Sequence, residues 1–136
     1  MAVMRDDVLA KVKDNRLKVY VVWEPILPKD RVEVLPEVTE LLAGEPRARQ
    51  YWDGGAVAGK GYTKSLNLPL KSALWDAYLL FPRGVTWDIT SDNAPPAPSF
   101  WMHQLSFLPF TDGDKRFGHL RLDAARFLKE VESVLR

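Results

Sequence analysis

Cysteine is absent from this chain. Disulfides, thiolate nucleophiles and cysteine-held zinc or iron–sulfur centres go with it. Histidine is nearly as scarce, with only His103 and His119, so any metal site would have to be completed by carboxylates. His103 falls in a strand and His119 near a turn, and both read as structural residues. Long apolar runs are missing too; none approaches the roughly 20 residues that cross a bilayer. Neither sign of charge dominates. A formal net charge of +1 sets up no long-range field to draw in nucleic acid or an anionic membrane. The Gly-x-Ser-x-Gly elbow of serine hydrolases does not occur. There is no linker and no low-complexity segment. With 136 residues, 46% of them apolar, the chain 1–136 reads as one globular domain with its own core. Met1 to Arg16 carries charges every few residues and lacks the apolar centre of a signal peptide. Cytoplasmic residence is the expectation, or export had an amino-terminal signal been removed.

What is present alternates strands with helices. Asp6 or Asp7 can cap a short helix with Val8, Leu9 and Val12 on one stripe, ended by Asp14-Asn15. Leu17 to Trp23 is rich in β-branched and aromatic residues and reads as a strand covered on both faces. Asp30 with Glu33 resembles a capping box for a helix carrying Val32, Leu35, Val38, Leu41 and Leu42, kinked at Pro36 and stopped by Gly44-Glu45-Pro46. Arg47 to Trp52 follows as a short strand, Asp53 as a cap, and 54–68 as a helix weakened by glycine. Trp75 to Phe81 and Phe100 to Leu105 make two further strands. Between them lie the turn Pro82-Arg83-Gly84 and a proline-rich loop over 92–98, which predict an antiparallel pair. Asp112-Gly113-Asp114 turns again, and Asp123 caps a last helix with Ala124, Phe127, Leu128, Val131, Val134 and Leu135 on one face.

Two patterns invite a functional reading. "GGAVAGKG", Gly54 to Gly61, fits G-x-x-x-x-G-K after a strand and before a helix, where backbone amides could wrap a phosphate and Lys60 reach it. The Ser or Thr that should follow to hold Mg²⁺ is replaced by Gly61. Trp-Asp recurs at 52–53, 75–76 and 87–88, but spacings of 23 and 12 residues do not match the roughly 40-residue repeat of a propeller.

The order strand–helix–strand–helix, then strand–strand–helix, places parallel strands first and an antiparallel pair later. With the strand ending in Trp23, the Pro-bearing helix near Asp30 and the amphipathic final helix, residues 17–135 resemble the thioredoxin fold. That resemblance implies a central mixed α/β sheet of about four strands, in the order 47–52, 17–23, 75–81, 100–105, with helices on both faces. It also sets out the departures. The positions of the family's Cys-x-x-Cys fall on Glu24 and Leu27, or on Pro28 and Arg31, and the place of its cis-proline on Ala73-Leu74. Pro69 comes too early. A divergent member without either motif cannot perform thiol–disulfide exchange.

In such a sheet Trp23-Glu24, Trp52-Asp53 and Trp75-Asp76 would converge on one edge, beside a loop stiffened by Pro25 and Pro28. Ligands in open α/β sheets sit outside the carboxyl ends of the parallel strands. The residues Trp23, Glu24, Pro25, Pro28, Trp52, Asp53, Trp75 and Asp76 are therefore the expected ligand-binding set. The bland reading makes the tryptophans core closure and the acids caps. The function expected is a non-redox, non-catalytic module binding a protein segment or a small ligand there. It would need no cofactor or metal, bind neither nucleic acid nor membrane, and leave room for a homodimer. A carboxylate- or metal-assisted hydrolase at the same edge is the alternative, and nucleotide binding through Gly54–Gly61 a third.

Overall fold

Two short runs that end in tryptophan form a parallel pair of strands, the first β-branched and aromatic, the second opening on Ala48-Arg49-Gln50. β1 (Val19–Trp23) and β2 (Ala48–Trp52) run side by side, Val19 opposite Ala48 and Trp23 opposite Trp52, in a computed structural model that describes residues 1–87 and 94–136. Asp88 of the third Trp-Asp pair and the start of the 92–98 loop lie outside the described residues. Between the strands the chain crosses over through a 3₁₀ turn (Val32–Val34), α1 (Leu35–Thr39) and a second 3₁₀ turn (Glu40–Leu42).

This crossover is not the single kinked helix that the sequence predicts. Pro36 sits in the first turn of α1, where its missing N–H costs nothing. Asp30 turns its carboxylate back to accept from Leu27 N–H at 2.7 Å, so it closes the preceding loop and caps no helix. Of the expected stripe only Leu42 is buried; Val32 and Leu41 are exposed.

α2 (Val57–Ser65) follows β2, and β3 (Ala77–Leu80) pairs antiparallel with β4 (Phe100–His103). α3 (Ala124–Leu135) closes the chain, capped by Asp123 Oδ1 accepting from Arg126 N–H at 2.9 Å. A π-helix, Val3–Leu9, precedes β1 and buries Val8 and Leu9. Its Asp6 and Asp7 do not cap it; they pair with Arg5 and Lys11.

The expected four-stranded thioredoxin-like sheet is not formed. Strands β1–β2 make one two-stranded sheet and β3–β4 another. The reason lies in what covers β3 and β4. Tyr78, Leu80 and Met102 point into a cluster with Val8, Leu9, Val19, Leu42, Ala48, Phe127 and Val131. The alternate residues Ala77, Leu79 and Trp101 pack into a second cluster built on Tyr62, Leu68, Leu74, Leu105 and Phe110. The hairpin-like pair is thus sandwiched between two cores, and it meets β1 through shared side chains rather than a backbone ladder. The strand also starts later than expected, because Asp76 takes a left-handed backbone (φ 48°). Strand β1, expected to be covered on both faces, leaves Tyr20 65% and Val22 41% exposed.

Two buried polar side chains tie these parts together. The Arg47 guanidinium, 8% exposed, donates to Leu9 O at 2.9 Å, to Val12 O and to Glu45, satisfying carbonyls at the end of the first helix. His103 is fully buried, and its Nε2 meets Phe117 O at 3.0 Å, which places the proton on that nitrogen. Burial holds its pKa below the usual histidine value.

Candidate functional site

The carboxyl ends of β1 and β2 lie together because the strands are parallel and in register. Asp53 N–H donates to Trp23 O at 2.8 Å, so the two Trp-acid pairs sit side by side. Just beyond them the chain makes a tight passage into α2. Ala56 adopts a left-handed conformation (φ 49°), and Asp53 Oδ1 accepts from Gly55 N–H at 3.2 Å and Oδ2 from Ala58 N–H at 2.8 Å. Asp53 therefore satisfies orphan amides at the start of α2, as an acid there should.

Glu24 completes the corner from the other strand. Its Oε1 accepts from Gly59 N–H at 2.7 Å. Gly59 O in turn accepts from Leu74 N–H at 3.0 Å, and Thr63 Oγ1 reaches Ser72 O at 2.9 Å. The end of β1, the first turn of α2 and the segment before β3 are thus locked to each other. Only glycine fits at position 59. A Cβ there would collide with Glu24 Oε2, Leu74 O and the Ala73 methyl. Burial pushes the Glu24 carboxyl above its usual range; the Gly59 hydrogen bond opposes that, the Asp53 charge adds to it and Lys60 opposes it.

In front of this corner opens a crevice of about 280 Å³, lined by Pro25, Ile26, Gly54, Gly55, Ala56, Lys60, Ser72 and Ala73. Its walls are mostly apolar, with the Lys60 ammonium and the Ser72 hydroxyl as polar points and the two carboxylates close behind. A second crevice, about 230 Å³, lies between the first helix and Leu41–Glu45. It stands apart from the strand ends, and the Glu45 carboxylate on its wall is already paired with Arg47.

The expected set is divided. Pro25 lines the crevice, and Glu24 and Asp53 back it. Trp23 and Trp52 are half-buried on the inner face of their strands; Trp23 Nε1 donates to Gln50 Oε1 at 3.2 Å, and the Trp52 indole packs over Gly54. Pro28 sits exposed at the turn 27–30 and does not line the crevice. Trp75 and Asp76 do not join the other two pairs. The Trp75 ring stacks on Phe107, centroids 5.7 Å apart, and Asp76 O accepts from Gln104 N–H at 2.8 Å beside the second sheet. The common edge for all three pairs depended on a four-stranded sheet, which is not formed: Trp23 and Trp52 are register partners at the end of β1–β2, and Trp75-Asp76 precedes β3 of the other sheet.

Ile26 and Ser72 carry no signal in the sequence, and Ala73 stands out there only as the place of the thioredoxin family's missing cis-proline. Gly54 to Lys60 carries one, as the phosphate-loop pattern, but here carboxylates stand where a phosphate would. Glu24 and Asp53 hold the amides of Gly55, Ala58 and Gly59, while Lys60 Nζ donates to Gly55 O at 2.8 Å. Among the described residues no group of three His, Asp or Glu side chains gathers to hold a metal ion, and no helix is long and apolar enough to cross a membrane. No family model matches the chain, and no significant match is found among curated proteins or solved structures.

Proposed function

We propose that this chain is a non-redox, non-catalytic binding module that seats a small molecule, or the tip of a protein segment, in the crevice at the carboxyl ends of β1 and β2. The supporting observation is the crevice itself, which opens at the position where α/β sheets take ligands. Apolar walls of Pro25, Ile26, Ala56 and Ala73 favour a compact apolar body. The charged group on the wall is the Lys60 ammonium, already donating to Gly55 O, while the carboxylates of Glu24 and Asp53 lie behind the wall; their two charges support a ligand bearing a cationic or hydrogen-bond-donating group. Both acids already accept backbone N–H bonds. That commitment supports a positioning role over acid–base or metal-assisted hydrolysis, which needs a carboxylate free to move a proton.

A thermal-shift series with benzamidine, with ATP and Mg²⁺, and with divalent metals alone tests this reading. The expected outcome is stabilisation by benzamidine, lost in Ser72→Trp, whose indole would fill the crevice from an exposed position. Stabilisation by ATP and Mg²⁺ or by a metal alone, with none by benzamidine, would contradict it.

A further inference from the structure

The outward face of β1 and β2 stands apart from both crevices. Alternation along the strands places Tyr20 and Val22 of β1 beside Arg49 and Tyr51 of β2 on that side, and one residue earlier it places Lys18 there too. Tyr20 is 65% exposed and Tyr51 52%. Their rings lie within 26° of parallel, centroids 6.4 Å apart, and form an exposed stacked aromatic pair. Lys18 and Arg49 are exposed, and among the described residues neither is in an ion pair. Arg49 Nη1 donates only to the backbone carbonyls of Pro46 and Ala48, at 3.3 and 3.0 Å.

Parallel strands are as a rule covered on both faces. Here the inner face carries the core, and the outer one carries two tyrosines, a valine and two cations with no acid among them. Tyrosine and arginine around an apolar centre is the composition of protein-binding hot spots. Neither crevice opens on this face, so it suits a partner that brings a surface of its own. The charge indicates which partner. A second copy would bring the same two cations, whereas an acidic chain would neutralise them.

We propose that this face docks an extended, acidic protein segment. Its carboxylates would pair with Lys18 and Arg49, and an apolar side chain would rest between Tyr20, Val22 and Tyr51. Two five-residue strands offer little area, so the contact is weak and transient.

The test is a ¹H–¹⁵N titration of the full chain with an acetylated ten-residue peptide alternating Glu with Leu and Phe. Controls are its Lys-for-Glu counterpart and a ten-nucleotide oligothymidylate. The acidic peptide is expected to move the amides of 18–22 and 48–52 with a dissociation constant on the order of 100 μM, and to weaken as salt is raised. Tyr20→Ala and Arg49→Glu should each weaken it roughly tenfold, while Tyr20→Phe retains binding. All three substitutions fall at exposed positions, Tyr20 and Arg49, and an unchanged circular dichroism spectrum confirms the fold. The proposal is overturned if these amides stay still at about 1 mM peptide, if the Lys peptide binds equally well, or if the oligonucleotide binds the face more tightly.

Discussion

The Glu24 carboxylate, one residue past the end of β1, accepts a 2.7 Å hydrogen bond from the backbone N–H of Gly59 in the first turn of α2. Through Gly59 O and Leu74 N–H the same residue pair reaches the segment that leads to β3. The corner that backs the crevice is therefore held by contacts between parts of the chain far apart in sequence, and it should respond to change at either residue.

Gly59→Ala sets two effects against each other. Alanine gains about 1 kcal/mol of helix propensity over glycine. The new methyl meets Leu74 O and the Ala73 methyl as well as Glu24, and neither of those is the movable end of a long side chain. Overpacking of that kind costs about 1–3 kcal/mol, so the clash wins and the variant is expected to lose stability in urea unfolding. A variant as stable as the parent would mean that α2 and the 72–74 segment are not in contact.

Glu24 also gives the protein a pH signature. Its carboxyl titrates above the ordinary 4.5 because it is buried. Between 4.5 and the raised value the native state holds a proton that the unfolded chain has released. Stability from this group therefore falls as pH rises through that window. Glu24→Gln keeps an oxygen for Gly59 N–H and removes the titration. The stability of the variant relative to the parent should grow as pH rises from 4.5 and then level off. A difference that does not vary with pH would show that Glu24 is not buried in the native state.

Arg47 acts in the opposite direction. Its side-chain hydrogen bonds hold the Glu45 carboxyl down at about 2, from an ordinary 4.5. That stabilisation is complete above 4.5 and is lost as pH falls toward 2. Arg47→Ala leaves Glu45 and the carbonyls of Leu9 and Val12 without their donor. A loss on the order of 2–3 kcal/mol is expected, with the amide protons of the first helix exchanging faster than those of α3. Equal exchange in the two helices would contradict the role given to Arg47.

The parts of the fold set by local pattern were legible in the sequence. The strand end at Trp23 follows from a β-branched and aromatic run, that at Trp52 from the Tyr51-Trp52 pair before the Asp53 cap, and the start of α3 from the Asp123 cap. The acids that back the crevice, Glu24 and Asp53, were legible as residues just past parallel strands. What the sequence hid was non-local. The division into two sheets comes from the double covering of β3 and β4 by side chains from the whole chain. That Trp75-Asp76 leads into a different sheet from the other two pairs follows from that division. Gly59 looked like helix weakness or half of a phosphate loop, because nothing nearby in sequence reveals that Glu24 and Leu74 press against it. The exposed face of β1 was hidden for a related reason, since Tyr20 and Val22 read as core residues by type alone.

The most direct measurement is a ¹H–¹⁵N titration of the whole chain with benzamidine. The expected result is a set of shifted amides at Ile26, Gly54, Gly55, Ala56, Lys60, Ser72 and Ala73, saturating with a single dissociation constant and abolished in Ser72→Trp. Shifts clustered instead around Arg5, Lys13 and Leu41–Glu45, or none at these strand ends, would contradict the assignment of the crevice as the binding site.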